Sequence, residues 1–167
     1  MAVRVLLLAD THGPPDPRVA RLAACCDLVV HAGDVGPPAW LVELQAELRV
    51  VRGNNDRGAT WPETAAVALP GGLLVAVHGH RHGPPARRHA RLRQAFPEAR
   101  AVVYGHSHRQ VVDTDMLPWV LNPGAGGRVR THGGPGCLVL VAAETGWRVE
   151  AHRFLQAPRR GGGAAAA

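Results

Sequence analysis

The sequence predicts an α/β fold built around a parallel sheet, and three observations carry that expectation. Apolar runs at Val3–Ala9, Leu28–Val30 and Val50–Val51 alternate with two segments of helical periodicity, the β-α-β-α-β rhythm of a parallel sheet with helices on its faces. The runs are continuously apolar rather than alternating, as strands covered on both sides are. Each run leads into a short polar stretch containing glycine, at the strand end where open α/β sheets bind their ligands.

Taken in order, Val3–Ala9 is the first buried strand, interrupted by a single arginine. Asp16 and Pro17 supply an N-cap and a first helical residue, and Val19, Leu22, Ala23 and Cys26 line one face of the helix that follows. Leu28–Val30 is a short second strand. Pro37 and Pro38 open a second helix, in which Trp40, Leu41, Leu44 and Leu48 recur at helical spacing, and Val50–Val51 is the third strand. Ala65–Leu69 and Leu73–Val77 flank Pro70-Gly71-Gly72 as a hairpin with a three-residue turn. Arg87–Phe96 reads as a basic helix closed by Pro97. Further strands are expected at Ala101–Tyr104, Gln110–Val112, Trp119–Leu121, Cys137–Ala143 and Trp147–Phe154. Residues 158–167 lack an apolar pattern and read as a low-complexity tail, which leaves 1–157 as one domain.

Composition removes several classes. A chain of 167 residues can bury a core without staples, and 46% hydrophobic against 19% charged residues excludes a disordered or coiled-coil protein. Three cysteines, two of them adjacent at Cys25 and Cys26 and none in a C-x-x-C pair, exclude a disulfide framework or a thiolate zinc site, and all three read as packing residues. The apolar run after Met1 meets Asp10, Thr11 and His12 instead of a small-residue cleavage site. The uncharged stretch from Thr64 to Val77 is broken by Pro70-Gly71-Gly72. No signal peptide or membrane span is therefore expected, and a cytoplasmic location is.

The net charge of +6 comes from 19 arginines and no lysine, which beside abundant Ala, Gly and Pro reads as compositional bias. It leaves nucleic acid open as a partner. However, Arg87, Arg88, Arg91 and Arg93 with His89 read as a solvated helix face, and an aromatic content of 4% offers no stacking surface. The four tryptophans read as core. Ten histidines form a surplus that calls for a role.

The strand ends supply one. They carry Asp10-Thr11-His12-Gly13, Gly33-Asp34, Gly53-Asn54-Asn55-Asp56, His78-Gly79-His80 and Gly105-His106-Ser107-His108. Each piece alone has an ordinary reading, a turn or cap residue for Asp10 and Gly33-Asp34, a core or surface imidazole for His31 or His78. In order, at five successive strand ends, they aim carboxylate, amide and imidazole groups at one edge of the fold. Imidazole and carboxylate without thiolate suit manganese, iron, nickel or zinc, and donor type alone does not choose among them.

These five motifs, Asp10-x-His12, Gly33-Asp34, Gly53-Asn54-x-Asp56, His78-Gly79-His80 and Gly105-His106-x-His108, resemble those of the calcineurin-like metallophosphoesterases. The short length and Asn122-Pro123-Gly124 are similar to the compact bacterial and archaeal phosphodiesterase branch of that family, and the likeness spans Val3 to about Phe154. The resemblance implies a four-layer α-β-β-α sandwich of two mixed β-sheets with helices outside. It implies two divalent metal ions, one held by Asp10, His12, Asp34 and His108 and the other by Asp34, Asn54, His78 and His106, with Asp34 bridging. Manganese is the first expectation, with nickel, iron or zinc as alternatives. A metal-bridging hydroxide would be the nucleophile that hydrolyses a phosphodiester, so no protein nucleophile is required.

Asn54, Asn55 and His80 are the candidate substrate contacts. Many larger members of the family carry a histidine where Asn55 stands, placed to protonate the leaving group, a contribution of ~10²–10⁴-fold. The compact branch commonly lacks it, so the leaving-group acid is unassigned. His80 reads equally as an assisting acid or a solvent-facing imidazole. Asp56 is open between orienting the Asn54 loop and merely turning the chain. Arg52 and Arg57 are open between meeting a substrate phosphate and facing solvent, with solvent favoured, and Asn122 is expected near the cleft. The retromer subunit of the same branch kept the fold as a protein-binding scaffold, so a catalytically weak or inactive scaffold is the alternative. Every metal position is filled in this chain, which favours the phosphodiesterase. A homodimer through an apolar strand edge is left open. His31, His82, His89, His132 and His152 receive no role.

Overall fold

The computed structural model describes residues 1–155 and places ten strands in two five-stranded sheets. The expected domain boundary at 157 and the tail over 158–167 lie outside the described residues. The first sheet holds β1 (Val3–Leu8), β2 (Leu28–His31), β3 (Glu47–Val50), β9 (Gly136–Ala143) and β10 (Gly146–Arg153), in the order β10-β9-β1-β2-β3. The second holds β4 (Thr64–Leu69), β5 (Gly72–Val77), β6 (Ala101–Val103), β7 (Val111–Asp113) and β8 (Trp119–Asn122), in the order β4-β5-β6-β8-β7. Both sheets are mixed. β1, β2 and β3 run parallel, as do β5, β6 and β8, while β9, β10, β4 and β7 pair antiparallel.

Side-chain alternation divides the apolar residues among three cores. Val5 and Leu7 of β1, Leu28 and Val30 of β2, and Leu138 and Leu140 of β9 face Leu74, Ala76, Ala101, Val103 and Leu121 across the gap between the sheets. The alternate positions Leu6, Leu8, Val29 and Val139 face outward beneath helix α1 (Pro17–Ala23) and a 3₁₀ segment (Pro38–Leu44), which contribute Val19, Ala23, Trp40, Leu41 and Leu44. Val75, Val77, Val102 and Val120 pack under helix α2 (Pro85–Ala95) through Leu92. Helix, sheet, sheet and helix thus form four layers. β1 is apolar on both faces from Val5 onward because Leu6 and Leu7 meet different cores. Trp147 ties the sheets at one edge, its indole N–H donating to the Pro70 carbonyl at 2.7 Å.

Several elements differ from expectation in their bounds. The second helix is a 3₁₀ segment ending at Leu44, because Gln45 turns left-handed at φ 50°. Leu48, which shares the helical spacing, lies in β3, and that strand begins at Glu47 rather than Val50. An i, i+4 pair across a turn mimics a helix face. Helix α1 stops at Ala23, before Cys26, and Cys25 is exposed rather than packed. The hairpin loop is two residues, not three, since Gly72 pairs with Leu69. Helix α2 begins two residues earlier than expected, and its basic face is not simply solvated. Arg88 is buried and donates to the Gly83 carbonyl, and Arg93 and His89 both reach Asp113. Long aliphatic stems let guanidinium groups lie along apolar surface while their heads find acceptors. Among the described residues no helix is long and apolar enough to cross a membrane.

Layering predicts a contrast in stability. Leu74→Ala, which empties a fully buried position between the sheets, should cost about 2–5 kcal/mol by urea denaturation. Val42→Ala, at 80% exposure, should stay within about 0.5 kcal/mol of wild type.

Candidate metal centre

The parallel strands of both sheets end at the same end of the sandwich, and the loops after β1 and β2 continue the strand pairing beyond the sheet. Asp10 N–H donates to the Gly33 carbonyl at 2.9 Å, His12 N–H to the Asp34 carbonyl at 3.0 Å, and Gly13 N–H to the Val35 carbonyl at 2.8 Å. The second sheet is stitched on by the His106 backbone N–H, which donates to Asp10 Oδ1 at 3.1 Å, and by His78 Nδ1–H, which donates to the Ala32 carbonyl at 2.8 Å.

Asp56 gathers the middle of this arrangement. Its buried carboxylate accepts backbone N–H groups from Asp34 (2.8 Å), Gly53 (2.8 Å), Val35 (2.8 Å) and Gly36 (3.2 Å). The Gly33-Asp34 and Gly53-Asn54 loops are thereby locked side by side, which resolves the role left open for Asp56 in favour of orientation. Gly53 is obligatory at this crossing, since a Cβ there would overlap the Asp34 backbone and carboxylate. At Gly33, with φ 91°, a Cβ would sit 2.7 Å from His78 Nδ1.

The candidate ligands converge within these loops. Asp10, His12 and His108 bring one donor atom each within 4.8 Å of one another, and so do Asp10, Asp34 and His78. Asp34 turns Oδ2 toward His12 Nε2 at 3.8 Å and Oδ1 toward His78 Nε2 at 3.5 Å, so its carboxylate lies between the two groups. Asn54 Oδ1 lies 3.0 Å from His78 Nε2 and 3.2 Å from His106 Nδ1. All seven expected ligands are therefore neighbours. His80 stands beside them, its ring centroid 5.4 Å from that of His78 and 6.2 Å from that of His106. Asn55 directs its backbone N–H and side-chain amide onto the two Asp34 oxygens at 2.9 and 2.6 Å.

Backbone geometry singles out the same residues. Among the described residues seven non-glycines have φ between 49° and 67°, and five of them are Asp10, His12, Asp34, His106 and His108. Each such conformation costs about 1–2 kcal/mol, and strain of this kind clusters at functional sites.

Electrostatics prepare the cluster for cations. Burial pushes the Asp10 carboxyl up to about 8, against the His106 N–H it accepts and with the Asp34 charge adding to the rise. Asp10 Oδ2 is buried without a hydrogen-bond partner. Burial also opposes charge on Asp34, yet His78, the Asn55 amides and His12 together hold that carboxyl below its usual range. Burial lowers the pKa of His12, His106 and His108, and takes His78 down to about 4, which leaves neutral imidazoles, each with one lone-pair nitrogen. With Nδ1 committed to Ala32, His78 presents Nε2. His108 does likewise, because its Nδ1–H donates to the Arg130 carbonyl at 3.2 Å. An orphaned buried carboxylate oxygen facing converging lone pairs fits divalent cations.

Four supporting residues had weak or no signals in the sequence. His31, fully buried and pushed down to about 3 by burial, accepts the Gly33 N–H at Nδ1 and donates from Nε2 to Thr11 Oγ1 at 2.9 Å. Thr11 passes the bond to the Val35 carbonyl, bracing the Asp10–His12 turn. Asn122 is buried under the His106–His108 loop, donating to the Gly105 carbonyl and Ser107 Oγ at 3.0 Å each. Arg130, within a glycine-rich loop, donates from Nη2 to His12 Nε2 at 3.0 Å. Imidazole and amide donors at strand ends were readable as candidates; an arginine in an irregular loop carries no such mark.

A family model for the calcineurin-like phosphoesterase superfamily domain matches residues 3–146. No curated protein matches the sequence significantly. Among solved structures, a conserved uncharacterised protein of Streptococcus pneumoniae, described as a predicted phosphoesterase, is 23% identical with a TM-score of 0.70, over 92% of this chain and 90% of that one. Vps29 of Entamoeba histolytica complexed with Zn²⁺ is 20% identical with a TM-score of 0.71, over 91% and 98% of the two chains. Vps29 of Chaetomium thermophilum is 17% identical with a TM-score of 0.72, over 93% and 100%. At these identities the likeness is one of fold.

Asp56→Ala strands four backbone donors and should cost roughly 3–5 kcal/mol in urea denaturation. The protonation states also predict the pH profile of chelator-treated protein. His31 and His78 titrate lower in the folded than in the unfolded chain, so stability rises with pH from about 3 to about 6.5. The folded Asp10 keeps its proton to about 8 while the unfolded carboxyl has lost it near 4, so stability falls between about 6.5 and 8. Asp10→Asn should flatten that fall in a pH series of denaturation midpoints.

Proposed function

Since the chain belongs to the calcineurin-like phosphoesterase superfamily, we propose that it is a phosphodiesterase working with two divalent metal ions. The observation that carries the proposal is the buried, partnerless Asp10 Oδ2 among neutral imidazoles whose lone pairs converge on it and on Asp34. Asp10, His12, Asp34 and His108 would hold one ion and Asp34, Asn54, His78 and His106 the other, with Asp34 shared. Manganese is the ion we favour for this oxygen-and-imidazole set. Bound there, the cations supply positive charge for the phosphoryl oxygens and acidify the water that attacks phosphorus.

The chain's own residues keep this machinery aimed. Ala32 and Arg130 carbonyls fix the tautomers of His78 and His108, so that the lone pairs and not the N–H groups face inward. Asn55, through its two bonds to Asp34, orients the shared carboxylate, and its exposed position allows it to meet substrate together with Asn54. His80 is the remaining substrate contact, with Nδ1 buried and unpartnered. Burial and the Arg81 charge lower its pKa, so at neutral pH it carries little proton to give a leaving group. Leaving groups then depart unassisted, and aryl esters outpace alkyl esters. Cysteines that are all free suit a reducing, cytoplasmic setting.

Bis(p-nitrophenyl) phosphate and p-nitrophenyl phosphate, assayed with manganese added after chelation, test this reading. Metal-dependent turnover should appear and should favour the diester. Absence of metal-dependent turnover on both would overturn it in favour of a non-catalytic scaffold. Asp34→Asn should abolish turnover and weaken manganese binding by more than the roughly 10–100-fold that loss of a supporting residue costs. Calorimetric titration with the metal reads the second effect without catalysis.

A further inference from the structure

Beside the metal centre lies a cavity of about 290 Å³, lined by Arg52, Arg57, Arg81, Glu63, His80 and the Gly53-Asn54 turn. Its inner wall is shared with the centre. Asn54 reaches both His78 and His106, and the His80 ring stands against the same two imidazoles. A phosphoester placed over Asn54 therefore has one of its arms directed into this space.

The lining is cationic and hydrophilic. Glu63 receives Arg52 Nη2 and Arg81 Nη1 at 2.7 Å each, which draws two guanidinium groups together on one side. Each guanidinium has five N–H donors, so most of them stay free after these contacts. Arg57 has no acidic partner among the described residues. Asp56, the second carboxylate of the lining, has both oxygens on backbone amides. Exposed ion pairs such as those of Glu63 contribute little stability and rearrange at small cost when a stronger anion enters. The volume falls at the small end of the ligand-pocket range. Apart from His80 the lining has no aromatic ring on which a nucleobase could stack.

We propose that this cavity is an anion subsite, which selects phosphodiesters whose arm next to Asn54 is short, aliphatic and ends in a second phosphate-like dianion. The proposal rests on the metal-centre reading above and deepens it by naming the substrate class. Arg57 and Arg81 grip the distal anion through charge-assisted, bidentate bonds, while the scissile phosphate lies over the metal ligands. A nucleoside arm gains nothing there.

Binding of two non-hydrolysable probes to the manganese-loaded protein tests the subsite without catalysis. Butane-1,4-diylbisphosphonate should bind at least about tenfold more tightly than butylphosphonate, as one additional charge-assisted contact provides. In Arg57→Gln/Arg81→Gln that advantage should shrink to about twofold or less. Arg57 and Arg81 are exposed, so the double variant is expected to fold, and its denaturation midpoint verifies this. Equal affinities in wild type, or an advantage that survives the double substitution, would overturn the subsite. Because the aryl-diester assay is separate, a protein that binds the bisphosphonate selectively but turns over neither aryl ester keeps the subsite and loses the hydrolase reading. One that hydrolyses the diester but ignores the second phosphonate does the reverse.

Discussion

The carboxylate of Asp56 accepts backbone N–H groups from Asp34, Val35, Gly36 and Gly53, and the geometry of the candidate metal centre depends on that cluster. Two loops from the ends of β2 and β3 are drawn to one anion that touches no expected ligand side chain directly. Once they are fixed, Asp34 can stand between His12 and His78, Asn55 can hold it there, and Asn54 can reach the second sheet. A buried anion satisfied by four amides is stable in place, whereas the same amides without it would be unpaired donors in a dry interior. The loop geometry and the carboxylate therefore require each other.

Around this tie the protein keeps a high-energy arrangement. Five expected ligands adopt left-handed backbone conformations, and burial favours the protonated form of the Asp10 carboxyl. The ladder beyond the sheet, the His31–Thr11–Val35 chain and the Asn122 bridge hold these features against relaxation. Such support explains why so many buried polar groups near the centre are not ligands. They act on backbone, and the backbone aims the donors.

Legibility in the sequence followed the physics of each feature. Strands covered on both faces are continuous apolar runs, so β1, β2, β5 and β9 were readable near their observed positions. The 3₁₀ segment has the pattern of a longer helix, because Leu44 and Leu48 share a helical spacing while Gln45 breaks the helix by its backbone conformation alone. The expected solvation of Arg88 and Arg93 failed for a similar reason. Residue type announces charge, but only packing shows that Gly83 and Pro118 carbonyls and Asp113 lie within reach. Arg130 was invisible, since neither periodicity nor motif marks a residue that acts from a glycine-rich loop.

The sequence by itself determined the α/β class and placed the candidate donor side chains at the strand ends, because these depend on residue type and on local period. Only the tertiary structure decided which donors meet, that Asp34 lies between two histidines of different strands, and that Asp56 is a tie rather than a turn residue. It also gave duties to two of the five histidines left without a role, His31 beneath the centre and His89 between Asp113 and Tyr104. The reason is physical. A hydrogen bond between loops 20 or 96 residues apart is created by the packing of two sheets, and nothing in the local sequence encodes that distance.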